Sequence, residues 1–385
     1  MTNTTTRVLP ALVAAGSLAL AGGASAKSLA EQWLDGELDA GYPEITYDGP
    51  PITVTMSHFV AADTPLTRIL ARAADRLAEE TDGKLNVRVF YSNALHDSQR
   101  GGFEGVAAGI SDMSTCYSWI NPGGFTLQLG LQLPFLFERG TVGAHAIMQT
   151  YGEYFREEYE AHGVLFARAT TTQPQHLLTR GDPILTFEDL AGKRMMASGS
   201  LATGITSAFG AVPVPLTVAE YYSGFQQGVV DIMVIHDAGN QLFRFFELAR
   251  SRTVANLWAN PIEYCMNADF FYGLPEDLQQ VFQIWLMRLN HAEAEIYFDG
   301  VSAQGLASLE ERGIPTYEFS DEDYARLIDA AQPVIDAWIE EMEALGRPAR
   351  QMLEDFRATV EELNQMTDDE LFMLTWDRPY PGLTD

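Results

Sequence analysis

Two runs of alternating strand and helix patterns constrain the fold more than any other feature of this sequence. The first run starts with "ITVTMSHF", residues 52–59, where apolar and polar side chains alternate as in a strand. A helical period from Leu66 to Leu77 follows and closes at Gly83. The strand pattern "KLNVRVFY", a helix and a short strand ending near Tyr117 complete the run. This βαβαβ order predicts an open, mainly parallel α/β sheet covered by helices.

A second run of the same kind begins near Val164. "GVLFARAT" is typical of a strand, "SLATGITSAFGA" of a helix, and "TVAEYYSGFQQGVVD" of a helix that leads into the strand "IMVI". The chain then returns through "PIEYCMNADFF", which begins as a strand and opens a helix. Two α/β units that the chain crosses more than once predict two lobes with a cleft between them. Ligands of such sheets bind beyond the carboxyl ends of the strands.

The same patterns divide the chain into segments. The predicted segments are a signal peptide (1–26), an irregular lead-in (27–50), a first lobe (51–163 plus 262–300), a second lobe (164–261), and C-terminal helices with a tail that pack across the lobes (301–385). The final helices are acidic and amphipathic, so they need an apolar partner. We expect them to cover a lobe or to mediate self-association as a homodimer.

The N-terminus has the three parts of a secretory signal peptide. Arg7 precedes an apolar run from Val8 to Ala21, and the small residues "ASA" end at Ala26. A membrane anchor is the alternative, but the run is shorter than the roughly 20 apolar residues that span a bilayer. We therefore expect export to the periplasm, with cleavage after Ala26.

The formal net charge of −29 excludes one class of partner. A surface of this charge repels phosphate backbones, so we expect no nucleic-acid binding. The chain has two cysteines, Cys116 and Cys265, which lie far apart in sequence and give no disulfide framework. We expect both thiols to be buried and free.

Motifs of covalent and metal chemistry are missing from the sequence. It contains no Walker-type phosphate loop, no G-x-S-x-G elbow and no H-E-x-x-H, and its seven His residues are scattered. We therefore expect no enzymatic activity, no cofactor and no metal site.

His236 and Asp237 stand where the strand "IMVI" ends. Neighbouring residues on an extended backbone point to opposite faces, which argues against a direct His–Asp catalytic pair. Polar contacts at a loop end are one interpretation of these residues. The other is a role in a ligand pocket, because strand ends face the cleft in this architecture.

Several motifs resemble those of one family in order and spacing. They are "MSHFVAADTPLTR", "LPFLFER" at residues 133–139, "FEDLAGKRMMASGS", "AEYYSGFQQGVVD", "MNADFFYGLPEDLQQ" and "SLEERGIPTYEF". Over residues 51–345, the chain resembles the DctP-type solute-binding proteins of tripartite ATP-independent periplasmic (TRAP) transporters.

The resemblance implies a two-lobe, type II-like periplasmic-binding-protein fold with a long helix that spans both lobes. It also implies that the lobes close over one small organic solute without covalent chemistry. The closed receptor would then dock on the small and large membrane subunits of a TRAP transporter. Most members of the family bind an organic acid through an Arg that pairs with its carboxylate.

The sequence departs from the family at the residues that hold this acid. Met196, in "DLAGKRMMAS", stands at the position of the Arg. Ile235 stands at the position of the usual Asn, and Gln175 and His176 occupy a further basic position. Burying a carboxylate without a cation costs several kcal/mol, so either another group replaces the Arg or the ligand differs.

Arg168, Arg180 and Arg194 are the candidates for that replacement, and protonated His176 or His236 would assist them. The alternative is a ligand without a carboxylate, either uncharged or cationic.

A cationic ligand would pair with Asp237, between the aromatic faces of Tyr117, Trp119 and Tyr222. The predicted ligand-binding residues come from both lobes: Tyr117, Trp119, Arg168, Gln175, His176, Met196, Ser198, Val218, Tyr222, Ile235, His236 and Asp237. Two other functions stay open at this point, namely a secreted hydrolase that uses His236 and Asp237, and a ligand sensor on the same fold without transport.

Overall fold

The computed structural model describes residues 26–38 and 41–377 of the 385-residue chain. The predicted signal peptide before Ala26 and the tail beyond residue 377 lie outside the described residues.

Within the described part of the chain, eleven strands form two sheets, which confirms the predicted α/β class. The strands are β1 (Ile52–Ser57), β2 (Leu85–Phe90), β3 (Met113–Thr115), β4 (Leu165–Thr171), β5 (His176–Thr179), β6 (Arg194–Met196), β7 (Val212–Val214), β8 (Ile232–Ile235), β9 (Ser251–Val254), β10 (Pro261–Met266) and β11 (Thr316–Glu318).

Helices cover the faces of both sheets and make up most of the C-terminal part. They are α1 (Leu29–Asp35), α2 (Pro65–Glu80), α3 (Gly102–Ala107), α4 (Gly140–Tyr154), α5 (Arg156–Glu160), α6 (Ser200–Ala208), α7 (Tyr221–Gln227), α8 (Asp237–Leu242), α9 (Ala268–Tyr272), α10 (Glu276–Ala292), a π-helical segment (Glu293–Asp299), α11 (Gly300–Glu311), α12 (Asp321–Ala344), α13 (Ala349–Leu363) and α14 (Asp368–Asp377). Among the described residues, no helix has both the length and the apolar character needed to cross a membrane.

The first sheet has the order β2-β1-β3-β10-β4. β1 pairs in parallel with β2 and β3, whereas β10 runs antiparallel to β3 and β4. The carboxyl ends of β1 and β3 therefore lie at one edge, where the chain continues into Phe59 and Tyr117. Helix α2 begins with Thr64 as its N-cap and Pro65 in its first turn, and it buries its apolar face.

The second sheet has the order β11-β9-β5-β8-β6-β7. β8 is parallel to β6 and antiparallel to β5, with His176 opposite Ile235. The ends of β6 and β8 and the start of β5 thus lie on the same side of the sheet, which places Met196, Ile235 and Gln175 near one another.

The boundary predicted at residue 164 is wrong, because β4 belongs to the first sheet. Its register with β10 runs from Thr171 opposite Pro261 to Leu165 opposite Met266. The chain therefore crosses to the second lobe after Thr171. The local pattern of β4 could not show this, since its partner strand lies about ninety residues further along the chain.

Two extended segments, residues 172–175 and 255–260, connect the lobes side by side. The backbone N–H of Thr172 donates to the carbonyl of Asn260 over 3.0 Å, and the side-chain oxygen of Thr172 accepts from the N–H of Asn260 over 2.9 Å. These hydrogen bonds fix the two segments to each other at the point where the lobes meet.

A continuous helix from Glu276 to Glu311 also joins the lobes, as the resemblance implies. Its first part, α10, packs on β4 of the first sheet, and its last part, α11, packs on α8 of the second lobe. The contact with α8 requires Gly305, since a Cβ there would lie 2.1 Å from the carbonyl oxygen of Asp237. The π-helical segment lies between these two parts, next to the crossing segments.

The C-terminal helices pack on the same chain. α12 contacts α6 of the second lobe, α13 contacts α4, and α14 contacts α10 and α1. Phe372 of α14 is fully buried, with its ring centroid 6.2 Å from that of Trp33. The apolar faces of these C-terminal helices are therefore covered by other parts of the same chain.

The lead-in predicted as irregular contains helix α1. Ser28 accepts a hydrogen bond from the N–H of Glu31, and Glu31 accepts one from the N–H of Ser28. Trp33 and Leu34 of this helix are buried. The capping-box spacing of Ser28 and Glu31 was a sequence signal for this helix, and the prediction overlooked it.

The prediction that the two cysteines are free is also wrong. Cys116 and Cys265 form a disulfide, with their Cα atoms 5.7 Å apart across a sequence separation of 149. β3 and β10 are neighbouring antiparallel strands, and Cys116 directly follows β3. The separation of the two cysteines in sequence does not show that they are close in the folded chain. The predicted export to an oxidising compartment favours the disulfide.

Removal of this disulfide should destabilise the fold. A bond that closes so long a loop restricts the unfolded chain, so Cys116→Ser/Cys265→Ser should lower the free energy of unfolding by about 2–4 kcal/mol. Guanidinium denaturation measures the change. A reductant should cause the same loss in the wild type and no further loss in the double variant. Equal stability of the oxidised wild type and the variant would contradict the assignment.

Candidate functional site

A cavity of about 130 Å³ lies between the two lobes, at the strand ends described above. Its volume is close to that of an engineered protein cavity of about 150 Å³ that binds benzene. The lining consists of Phe59, Val60, Thr64, Leu66, Gln99, Tyr117 and Trp119 from the first lobe; Thr172, Gln175, Asn260 and Ile262 from the crossing segments and β10; Met196, Val218, Tyr221, Ile235, His236, Leu242 and Phe243 from the second lobe; and Tyr297 and Phe298 from the π-helical segment.

Tyr117 and Trp119 form the first-lobe wall. They follow β3, and their rings stack with centroids 5.4 Å apart and an interplanar angle of 21°. The Nε1–H of Trp119 donates to the carbonyl of Pro261 over 3.0 Å, which fixes the indole against β10. Burial raises the pKa of Tyr117 well above its ordinary value, so the phenol is neutral. This wall therefore offers a flat aromatic surface.

Glu263 holds the segment that carries these two rings. Its carboxylate accepts from the backbone N–H of Ser118 over 2.6 Å and from the Ser118 hydroxyl over 2.8 Å, and Gln128 donates a further hydrogen bond. Burial raises the pKa of Glu263 to about 7, although these hydrogen bonds oppose the rise. The disulfide at Cys116 ties the same segment to β10. Covalent and polar contacts thus position the aromatic wall.

His236 is the polar residue of the second-lobe wall. It is the N-cap of α8, and its Nδ1 accepts from the N–H of Gly239 over 3.1 Å. Burial lowers the pKa of His236 to about 4, although the neighbouring Asp237 opposes the shift. The imidazole is therefore neutral at pH 7, with its proton on Nε2. Its ring meets Phe298 edge-on, with centroids 5.9 Å apart.

Gln175 and Asn260 bring amide groups to the cavity from the crossing segments. Oδ1 of Asn260 accepts from Nε2 of Gln132 over 2.9 Å. Oε1 of Gln175 is buried and has no hydrogen-bond partner within residues 26–38 and 41–377. A buried acceptor without a partner is unfavourable, so this atom is suited to a donor on a bound molecule.

Arg168 does not line the cavity, and this corrects its predicted role at the ligand. Nη1 and Nη2 donate to the two carboxylate oxygens of Glu293 over 2.6 and 2.9 Å, and both side chains are fully buried. The guanidinium also lies over the ring of Tyr264, 3.7 Å from its centroid. Arg168 is thus committed to the π-helical segment, and sequence alone could not show this because Glu293 is distant along the chain.

Asp237 and His176 are likewise engaged inside the second lobe, outside the cavity lining. Arg252 donates to both carboxylate oxygens of Asp237 over 2.8 and 2.7 Å, and Nε2 of His176 lies 3.5 Å from the same carboxylate. Asp237 is therefore unavailable as the predicted partner of a cationic ligand. Burial, with Arg252 nearby, lowers the pKa of His176 well below its ordinary value, so it supplies no positive charge.

The remaining predicted residues lie outside the cavity. Ser198 lines an adjoining vestibule of about 330 Å³, together with Asp97 and Arg100. Tyr222 points away from the cavity and hydrogen-bonds Glu247 at 3.1 Å, whereas its neighbour Tyr221 lines both cavity and vestibule.

The candidate cations Arg194 and Arg180 are also engaged elsewhere. Arg194 pairs with Asp231 over 2.6 Å, and Arg180 donates to the carbonyl of Phe225. The predicted residues that the structure brings together at the cavity are Tyr117, Trp119, Gln175, Met196, Val218, Ile235 and His236.

Sequence reasoning overlooked the rings of Phe59, Tyr221, Tyr297 and Phe298. Phe59 carried a usable signal, since it is the last residue of the first predicted strand. Tyr297 and Phe298 carried none, because the π-helical turn that directs them to the cavity is not visible in the sequence. Across the described ranges, no group of three or more His, Cys, Asp or Glu side chains is arranged to hold a metal ion.

Two lobes joined by crossing segments and enclosing one small cavity define a solute-binding architecture. A model of the DctP family, described as bacterial extracellular solute-binding protein, family 7, matches residues 56–341. The chain therefore belongs to this family, which confirms the resemblance.

Two curated relatives illustrate the family. The C4-dicarboxylate-binding periplasmic protein DctP of Rhodobacter capsulatus is 24% identical over 348 residues, which cover 88% of this chain and 96% of the relative. The ectoine-binding periplasmic protein TeaA of Halomonas elongata is 24% identical over 224 residues, 56% of this chain and 63% of the relative.

Solved structures share the two-lobe fold. A TRAP periplasmic solute-binding protein from Desulfovibrio salexigens aligns with a TM-score of 0.73 and 23% identity, covering 83% of this chain and 98% of that one. A TRAP solute-binding protein from Rhodoferax ferrireducens, in complex with copurified benzoate, aligns with a TM-score of 0.74 and 18% identity, covering 82% and 99%. The predicted architecture is confirmed.

The pKa of Glu263 predicts a specific pH dependence of stability. Because its pKa rises on folding from 4.5 to about 7, the folded state holds the proton more tightly than the unfolded state. Its contribution, about 3 kcal/mol, is fully present below pH 4.5 and is lost as the pH rises through about 7. Glu263→Gln should remove this component, so the stability of the variant relative to the wild type should increase by about 3 kcal/mol across that window.

Chemical denaturation at a series of pH values measures this difference. Glu311→Gln, at an exposed position, is the control and should follow the wild type. A constant difference between Glu263→Gln and the wild type would show that the carboxyl titrates normally.

Proposed function

We propose that this chain is an exported receptor that captures one small organic solute between its lobes and delivers it to the membrane subunits of a TRAP transporter. The cavity carries the proposal, because it lies between the lobes, next to the crossing segments and the π-helical segment that connect them. Family membership supports it, since TRAP solute-binding proteins take up small organic ligands and work with membrane subunits.

The shape and surface of the cavity favour a solute about the size of one ring. Aromatic and aliphatic side chains dominate the lining, with a few polar groups at the crossing segments. Structural relatives include proteins with bound mandelate and 3-hydroxybenzoate, each of which carries a single aromatic ring. The adjoining vestibule gives room for a substituent on the ring.

The geometry favours binding over catalysis. His236 uses its Nδ1 as the cap of α8, and Asp237 directs both carboxylate oxygens to Arg252. The pair therefore lacks the base–orienter contact that a hydrolase of this kind requires. We propose that the chain performs no covalent chemistry on its solute.

We also propose that the exported protein begins at Lys27. Cleavage after Ala26 would leave Ser28, the N-cap of α1, and thus the whole of this buried helix in the mature chain. The periplasmic names of the curated relatives support the same compartment. The intact mass of the secreted protein tests the cleavage position.

Solute binding should make the molecule more compact. A ligand that contacts both lobes favours the closed arrangement, so small-angle scattering should show a smaller radius of gyration for the solute-bound protein than for the stripped one. Mass spectrometry of the protein as purified should detect the solute itself.

A pair of valine variants controls this experiment. Val218→Trp would fill the cavity and should abolish both retention of the solute and the compaction, whereas Val229→Trp, at an exposed position of the same lobe, should preserve both. Equal solute retention by the two variants would exclude the cavity as the binding site.

A further inference from the structure

Two buried ion pairs next to the cavity balance their charges within the protein. Arg168 is paired with Glu293 beneath the first-lobe side, and Arg252 is paired with Asp237 in the second lobe. Both pairs are bidentate, so each carboxylate has its oxygens occupied by the guanidinium. Neither pair leaves an unbalanced charge for a solute.

The cavity surface itself carries no formal charge. None of the described residues that line it is Lys, Arg, Asp or Glu. Met196 adds apolar surface to the second-lobe wall, and the neutral imidazole of His236 supplies no positive charge. Burial lowers the pKa of His236 to about 4, which is consistent with this neutral state at pH 7.

A charged solute would therefore lose its hydration without gaining a counter-ion. An unpaired carboxylate or ammonium in such a site is disfavoured by several kcal/mol. The formal net charge of −29 adds a field that further opposes the approach of anions.

The site holds two polar atoms of opposite kinds, an acceptor and a donor. Oε1 of Gln175 is a buried acceptor without a partner among the described residues. Nε2 of His236 carries a proton, because Nδ1 accepts from Gly239, and is therefore a donor. A molecule that satisfies both atoms needs one N–H or O–H donor and one acceptor.

We infer that the solute is an uncharged amphipathic molecule with one ring-sized apolar body, a hydrogen-bond donor for Gln175 and an acceptor for His236. This inference rests on the proposed receptor function and specifies the class of its ligand. A neutral carboxamide, lactam or hydroxylated ring compound meets the requirement, whereas a monocarboxylate and a protonated amine do not.

In the vestibule beside the cavity, a charged substituent could meet an opposite charge. Arg100 and Asp97 both line it, so it offers one cation and one anion. An acid whose ring enters the cavity while its carboxylate stays beside Arg100 is the main rival to this inference.

Three probes of the same size and different charge test the inference that the solute is uncharged: benzamide, benzoate and benzamidinium. Calorimetry at pH 7 on solute-free protein should give a Kd for benzamide at least about tenfold below that of either ion, since the ions are left unpaired. Tighter binding of benzoate or benzamidinium would overturn the inference. If benzoate binds tightly and Arg100→Gln abolishes this binding, the carboxylate lies in the vestibule beside Arg100.

If none of the three probes binds, the solute that copurifies with the protein tests the inference instead. Its mass and functional groups give its net charge at pH 7, and a charged solute overturns the inference while an uncharged one supports it. If no probe binds and no solute copurifies, the proposed receptor function itself fails. This outcome differs from the binding of a charged solute, which overturns only the inference about the charge of the ligand.

Substitutions in the cavity test the same inference independently. Met196→Arg should weaken benzamide binding and create benzoate binding, whereas Met373→Arg, at an exposed position, should do neither. Gln175→Leu should raise the Kd for benzamide about tenfold, because one hydrogen bond is lost. The exposed Gln332→Leu should leave it unchanged. An unchanged affinity in both Met196→Arg and Gln175→Leu would show that the probe binds elsewhere.

Discussion

The rest of the structure depends on one buried ion pair, Arg168 with Glu293. Removing two charges from water is costly, and only good geometry compensates for it. Here the pair is bidentate, and Arg168 also lies over Tyr264, whose hydroxyl is 3.2 Å from Nε2 of His58. The pair ties β4 of the first sheet to the helix that joins the lobes, at the start of its π-helical segment. Tyr297 and Phe298 of that segment then reach the cavity.

The second lobe uses the same arrangement around Asp237. Arg252 of β9 holds this carboxylate at the first residue of α8, next to the cap formed by His236. Each lobe thus pairs one buried arginine with one buried carboxylate below the cavity surface, and the surface is left to aromatic rings, aliphatic side chains and amides. Charge balance within the protein therefore constrains the charge of the solute, even though neither ion pair touches it.

Local patterns in the sequence were enough to predict many of the strands and helices, the two-lobe fold and the strand ends that meet at the cavity. The alternation of residues 52–57 and the capping of α2 are local, and so is the end of β8 before His236. Pairings between distant residues were not predictable from such patterns. The disulfide, the place of β4 in the first sheet and the partners of Arg168 and Asp237 all depend on contacts that form only in the folded chain. The sequence predicts Tyr222 at the cavity whereas Tyr221 lines it, because a pattern gives a helix its period without fixing which side faces the cleft.

A double-mutant cycle at Arg168 and Glu293 tests most directly whether this pair is structural and withdrawn from the solute. Arg168→Met and Glu293→Met should each lower the free energy of unfolding by about 3–5 kcal/mol, since each leaves one buried charge unpaired. The double variant should lose much less than the sum of the two, and calorimetry on it should show no change in the preference of the site for uncharged over carboxylate probes. Additive losses in stability, together with a carboxylate affinity that disappears in Arg168→Met, would instead make Arg168 the anchor of an anionic solute and contradict this account.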